Sequence, residues 1–169
     1  MSDRKVTIKN MTNGRIGFDV PDLRLSRTFD KKGATRTVDF DIMAEAIYDT
    51  GIEYMFKQGM LEIVGMQDKI DLGLEPEGAV EPQNIIILTD KQKERFMTVM
   101  PMMDFKAEIA KLPREQINAL IEYAIENEKF TMDKTDYLAK ITGVNIVRAI
   151  ELKRSIAEDK KDDAASNSL

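Results

Sequence analysis

Apolar and polar residues alternate along the first twenty positions of the chain. In residues 5–10, Val6 and Ile8 alternate with polar residues, and in residues 16–20 every second side chain is aliphatic or aromatic. A period of two is typical of strands with one buried face. Asn13 and Gly14 lie between the two runs, and an Asn-Gly pair is a strong signal for a tight hairpin turn. The pattern predicts a β-hairpin over residues 5–20.

Further strand-like segments follow this region. Pro21 ends the second run, because proline cannot donate to a strand ladder. Alternation returns in residues 23–29 and in residues 35–40, separated by a turn that contains a glycine. Each of these runs predicts a short strand.

Helical spacing then interrupts the β pattern. Asp41 is a good N-cap type, and the apolar residues after it recur at helical intervals. Thr50 and Gly51 are expected to stop this helix, residues 52–59 to add one more helical turn or so, and residues 60–65 to form a last strand. The prediction is a small β-rich domain over residues 1–68, with a hairpin, further strands and one or two short helices.

The composition changes after residue 68. Residues 69–83 contain two glycines, two prolines and several acidic residues, with sparse apolar anchors. Such a composition favours a connection over a packed element. Residues 69–87 are therefore predicted to be an acidic linker.

The remainder of the chain has helical periodicity. Apolar residues recur at intervals of three and four over residues 117–125, and Phe105, Ile109 and Leu112 share one face of another segment. The pattern predicts a helical domain over residues 88–158 with four to five helices. The ending, residues 159–169, is charged and rich in small residues, which predicts a polar tail.

Capping residues and prolines divide the helical domain into elements. Thr89 is an N-cap candidate, and Pro101 and Pro113 mark helix breaks or first turns. Gly143 is expected to close one helix and Asn145 to cap the next. The predicted class is α+β, with a β-rich domain followed by a helical bundle.

The amino-acid composition narrows the chemistry. The 169 residues include no His, no Cys and no Trp. Without His and Cys, neither a Ser-His-Asp nor a Cys-His nucleophile can form, and the usual zinc and thiol sites are absent. The sequence shows no glycine-rich phosphate loop. We therefore predict no catalytic, cofactor-binding or metal-binding residues, and a protein that is not an enzyme.

Charge is distributed unevenly along the chain. Residues 1–40 hold nine Lys and Arg against five acids, whereas residues 41–88 hold two Lys against ten acids. Solubility is one interpretation of this split, and head-to-tail association of a basic face with an acidic face is the other. The densest basic cluster is a solvated strand face or an electrostatic docking patch, and it consists of Arg24, Arg27, Lys31 and Lys32.

One segment is compatible with nucleic-acid binding. Residues 137–154 combine Ala139 with Gly143 four positions later, as in a helix-turn-helix corner. The second helix would present Asn145 and Arg148, whose side chains can contact base edges. The alternative interpretation is an ordinary helix-Gly-helix corner of a bundle.

No segment of the sequence suggests a membrane. The longest uninterrupted apolar run, residues 85–88, is far shorter than a membrane span. The first ten residues are polar and lack the apolar stretch of a signal peptide. We expect the protein to be located in the host cytoplasm or in a virion.

Two parts of the chain resemble small proteins of tailed bacteriophages. The first part consists of VTIKNMTNGRIGFDVPDLRLSRTFDKKGATRTV and GIEYMFKQGMLEI, and the second of LPREQINALIEYAIEN and DYLAKITGVNIVRAIEL. The resemblance implies a virion or particle-assembly protein that acts through protein-protein contacts, as a homo-oligomer or with virion neighbours. It implies no particular functional residues.

Overall fold

The computed structural model describes residues 3–166 and has the predicted α+β class. The strands are β1 (Lys5–Asn10), β2 (Ile16–Val20), β3 (Leu25–Phe29), β4 (Thr35–Asp39) and β5 (Leu61–Val64). The helices are α1 (Phe40–Ala46), α2 (Thr50–Lys57), α3 (Met66–Asp71), α4 (Asp90–Met97), α5 (Met102–Ile109), α6 (Arg114–Asn127), α7 (Met132–Thr142) and α8 (Ile146–Ser166). The chain divides into two compact units, the first extending to Ile87 and including Leu112–Gln116, and the second comprising the rest.

The first unit is built around an antiparallel three-stranded sheet in the order β4-β1-β5. The central strand places Val6 opposite Val38 and Ile8 opposite Ile63. All four side chains are almost fully buried. Because strand residues alternate between faces, this register assigns one face of the sheet to the core of the unit.

The predicted hairpin over residues 5–20 is wrong. Both edges of β1 are occupied by β4 and β5, and β2 instead pairs with β3 through a 3-10 turn, Pro21–Leu23. The loop after β1 is held by the fully buried side chain of Asn10. Its Nδ2 donates to the carbonyl oxygens of Gly14 at 2.8 Å and Lys31 at 3.0 Å. These bonds tie the Asn-Gly loop to the turn before β4, and β2 lies in a second sheet.

The helical part of the first unit differs in detail from the prediction. Asp41 does not cap α1 but lies in its first turn. The predicted stop at Thr50 and Gly51 is also wrong, because both residues form the first turn of α2. Asp49 caps this helix, its carboxylate accepting from the backbone N–H groups of Gly51 and Ile52. Asp49 is therefore the N-cap of α2, and Thr50 begins a helix at the position where the sequence predicted that one would end.

The segment predicted as a linker is folded onto the first unit. It includes the end of α3, and Leu72 is buried in the core of that unit. The carboxylate of Glu75, which is 4% exposed, accepts from the backbone N–H groups of Gln83, Asn84 and Ile85 at 2.8 to 3.1 Å. One buried side chain thus organises the glycine- and proline-rich loop.

The second unit contains five helices among its described residues, in agreement with the predicted bundle. Thr89 caps α4 in a reciprocal capping box with Gln92, and Pro101 precedes α5. Gly143 ends α7 with φ at 78°, a conformation that glycine adopts without steric cost. Asn145 caps α8, its Oδ1 accepting from the N–H of Arg148 at 3.0 Å.

The last helix is longer than predicted. The sequence placed the end of the helical domain at residue 158, but α8 continues to Ser166. Residues 159–165 are Asp, Lys and Ala, without a proline or glycine that would end a helix. The polar tail is therefore helical up to Ser166, and residues 167–169 lie outside the described part of the chain.

Candidate functional site

The most prominent exposed feature of the second unit is α8. Its first turns are anchored, because Ile146 is 1% exposed and Ile150 is 6% exposed. Between Glu151 and residue 165, every side chain is exposed. At 1.5 Å per residue, this exposed part is about 22 Å long. The helix therefore presents roughly four turns on the surface of its unit.

Two large apolar side chains lie in this exposed stretch. Leu152 is 62% exposed and Ile156 is 49% exposed. Their separation of four residues places them on the same side of the helix. Single exposed apolar residues are ordinary on protein surfaces, but a pair on one face of a projecting helix forms an apolar strip.

An ion pair ties α8 to the end of α6. Arg154 Nη2 lies 2.6 Å from Oε1 of Glu128. Glu128 follows α6 and has φ at 53°, in the left-handed region. Both side chains are largely solvated, so the pair adds little to stability. Arg154 is two positions from both Leu152 and Ile156, so its side chain lies on the opposite side of the helix. The ion pair and the apolar strip are therefore on different faces of α8.

A groove lies beside the start of α8, between it and α7. It has a volume of about 460 Å³. From α7 it is lined by Asp136 and Ala139, and from the start of α8 by Asn145, Arg148 and Glu151. Two carboxylates and one guanidinium give the groove a mixed, slightly acidic character, which is unfavourable for phosphate groups.

The structure brings the predicted nucleic-acid contacts, Asn145 and Arg148, together in this groove. The side-chain oxygen of Asn145, however, caps α8 and is already hydrogen-bonded to the backbone of Arg148. Ile146, the next residue, is buried and is therefore not part of the exposed surface of the corner. The corner therefore buries the face of α8 that begins at Ile146, and this orients Leu152 outward.

A buried lysine joins α7 to the end of α4. Lys134 is 1% exposed, and its Nζ donates to the carbonyl oxygen of Thr98 at 2.9 Å. The ammonium also lies 5.7 Å from the ring centre of Phe105. Desolvation lowers the pKa of Lys134, an effect that the nearby charge of Asp133 partly opposes. Lysines with lowered pKa serve as nucleophiles in some enzymes, but this side chain is inaccessible to a substrate.

The buried position of Lys134 predicts a specific pH dependence of stability. Its folded pKa is below the ordinary value of 10.5, so the unfolded state binds more protons as pH approaches that value. Lys134 should therefore increase the free energy of unfolding as pH rises toward 10. In Lys134→Met this gain should disappear. Urea denaturation from pH 7 to pH 10 measures both slopes, and equal slopes would contradict the prediction.

The predicted docking cluster is dispersed in the structure. Arg24 precedes β3, in the left-handed region with φ at 50°, whereas Lys31 and Lys32 follow the strand. Five strand residues, about 16 Å, separate the two ends. Arg27 lies between them, and its guanidinium donates to the carbonyl oxygens of Ser26 and Thr37. The four side chains are therefore not assembled into one compact patch.

Within residues 3–166, no group of three or more His, Cys, Asp or Glu side chains is arranged to hold a metal ion. Within the same residues, no helix is sufficiently long and apolar to cross a membrane.

Sequence reasoning did not single out the structurally important polar residues, Asn10, Glu75 and Lys134. Polar residues of these types are ordinarily exposed, so their burial has no local sequence signal. Leu152 and Ile156 had a weak signal. They continue the apolar spacing of α8, and residues 157–166 after them are only charged or small.

The fold and the exposed features described above define an α+β protein with a helical unit that carries an exposed apolar strip. No protein-family model, no curated protein and no solved structure matches the chain.

Proposed function

We propose that this protein is a non-enzymatic assembly protein that acts through protein-protein contacts. The observation that carries the proposal is α8, which extends about four turns beyond its anchored start with Leu152 and Ile156 exposed. Helices in proteins owe most of their stability to the packing of an amphipathic face, and from Glu151 to residue 165 every side chain of α8 is exposed. A protein partner along α8 would bury the apolar strip and stabilise the helix.

The use of the buried polar groups supports the same proposal. Asn10, Glu75 and Lys134 are each hydrogen-bonded to backbone groups that position loops or helix ends. Among the described residues, no buried side-chain nitrogen or oxygen lacks a hydrogen-bond partner. Buried polar groups left without partners are a common sign of a binding or catalytic site. Here these groups have structural roles instead.

The sequence resemblance suggests the setting of this assembly. We propose a structural or accessory component of a bacteriophage particle, present in the virion or in the host cytoplasm. The uneven charge of residues 1–88 is suited to contacts between copies or with oppositely charged neighbours.

Two measurements test the proposed function. Light scattering after size-exclusion chromatography, at 50 mM and 500 mM salt, should show a discrete species heavier than 19.2 kDa. In addition, the protein should sediment with assembled particles from the cells that produce it. A protein that is monomeric at both salt concentrations and absent from every particle fraction would overturn the proposal.

A DNA-binding regulator is the second candidate function. Its support is the corner between α7 and α8, where Gly143 adopts the left-handed conformation and Arg148 is exposed. If the corner binds DNA, duplex DNA should be retarded at low salt, and binding should weaken steeply with added salt. Arg148→Glu should abolish it. Absence of retardation at low salt would exclude this function.

A further inference from the structure

The Asn-Gly loop after β1 contains a glycine that the fold does not require. Gly14 lies outside the left-handed region of backbone conformation, and a Cβ added to it would meet no atom within 4 Å. At every other described glycine, either φ is positive or the added Cβ would contact a neighbour. Neither a special turn nor close packing therefore explains the glycine at position 14.

The hydrogen bonds of the loop engage the carbonyl group of this glycine and not its nitrogen. The carbonyl oxygen of Gly14 accepts from Asn10 Nδ2 at 2.8 Å and from the hydroxyl of Thr12 at 3.2 Å. Within residues 3–166, the N–H of Gly14 donates to no acceptor. Asn13 and Gly14 are both exposed. The backbone nitrogen of Gly14 is therefore not committed to a contact within the loop.

We propose that Asn13-Gly14 is a site of spontaneous deamidation, a modification that does not depend on the proposed function. The backbone nitrogen of Gly14 loses its proton and attacks Cγ of Asn13, which closes a five-membered succinimide ring. The bond from Cγ to Nδ2 breaks, and the amide leaves as ammonia with the proton that Gly14 lost. One water molecule then adds to either carbonyl group of the ring and opens it, which gives aspartate or isoaspartate.

The other asparagines are poorer sites for the same reaction. Glycine favours the attack because it has no Cβ beside the attacking nitrogen, and Asn13 is the only asparagine of the chain that precedes a glycine. Elsewhere the nitrogen is also engaged. The backbone N–H groups that follow Asn10, Asn84 and Asn127 donate to oxygens of Met60, Glu75 and Ala124, respectively.

The two products differ in their effect on the loop. Aspartate leaves the main chain unchanged, whereas isoaspartate leads the main chain through the former side chain and adds one carbon between residues 13 and 14. This lengthening displaces Gly14 from Asn10, whose buried Nδ2 then loses one of its two acceptors. Because a buried donor without its acceptor is destabilising, isoaspartate should weaken the first unit and aspartate should not.

The first experiment measures deamidation by peptide mapping of the full chain. After incubation at pH 8, trypsin releases residues 10–15 as one peptide, which contains both Asn10 and Asn13. We expect a gain of about 1 Da at Asn13, because a carboxyl group replaces the amide, and no gain at Asn10. The gain should increase with the time of incubation. A sample digested without incubation corrects for deamidation during the digestion itself.

Gly14→Ala is the matched variant. Position 14 has space for a Cβ and no positive φ, so this variant should be at least as stable as the wild type in urea. Its deamidation at Asn13 should be slower by about tenfold or more, because the added Cβ hinders the attack. Equal rates in the two proteins, or an unchanged Asn13 in the wild type, would overturn the proposal.

The second experiment compares the two products. Incubated wild-type protein is fractionated by chromatography, and the isoaspartate form is identified by labelling with protein isoaspartyl methyltransferase. This form should unfold at a lower urea concentration than Asn13→Asp, which has the aspartate product at the same position. A lower midpoint supports the loss of the bond between Asn10 and Gly14. Equal midpoints would overturn this effect on the loop, and the mass shift at Asn13 decides the site itself.

Discussion

Replacing Asn10 by aspartate should reduce the free energy of unfolding by about 3 kcal/mol. Asn10 is fully buried, and its Nδ2 donates to two backbone carbonyl oxygens, those of Gly14 and Lys31. The variant removes both donors and places a carboxylate against two carbonyl oxygens. Its other oxygen still accepts from Thr12, as Oδ1 does in the wild type. Urea denaturation monitored by circular dichroism measures the change.

Asn13→Asp is the control for Asn10→Asp. It introduces the same chemical change in the same loop, but at an exposed position. We expect it to alter the free energy of unfolding by less than about 0.5 kcal/mol. Equal effects of the two variants would mean that the added charge, and not the buried hydrogen bonds, determines the loss.

Phe105→Ala should destabilise the helical unit by about 4 kcal/mol. Phe105 is fully buried, and its ring lies 6.3 Å from the ring of Phe96 and 6.0 Å from that of Tyr137. Truncation leaves a cavity between helices α4, α5 and α7. It also removes the aromatic face beside the ammonium group of Lys134. Thermal and urea denaturation should both show the loss.

The matched control for this variant is Met103→Ala, two residues earlier on the same helix. Met103 is 83% exposed, so its truncation should leave the stability nearly unchanged. Equal stability of Phe105→Ala and Met103→Ala would contradict the packing of the Phe105 ring against Phe96 and Tyr137.

The helical unit was predicted well because its signals are local. The capping residues Thr89 and Asn145 and the left-handed Gly143 occupy the expected positions. Phe105, Ile109 and Leu112, expected to share a face, are all buried. Helix caps and amphipathic spacing involve residues a few positions apart, so a single sequence contains them.

Strand pairing was less accessible to prediction. Residues 5–10 and 16–20 are strands as expected, but they belong to different sheets. The alternation of side chains specifies a strand and its buried face, but not its neighbour. The choice of β4 and β5 as neighbours of β1 depends on pairs of residues that lie 26 to 57 positions apart in the chain. The bonds of Asn10 reinforce that choice.

The candidate surface was predicted only in outline. The sequence predicted a helix from Asn145 onward, but it assigned residues 159–169 to a polar tail. The orientation of α8 depends on which of its faces packs in the second unit. That face contains Ile146 and Ile150, and its choice leaves Leu152 and Ile156 exposed.

By itself, the sequence determined the α+β class, the helical nature of the second unit and its caps, and the lack of His and Cys chemistry. These properties follow from composition and from interactions between near neighbours. Only the tertiary structure decided how the strands pair, that Glu75 folds the acidic loop onto the first unit, and which face of α8 is exposed. Each of these depends on burial, which arises when residues distant in the chain exclude water together.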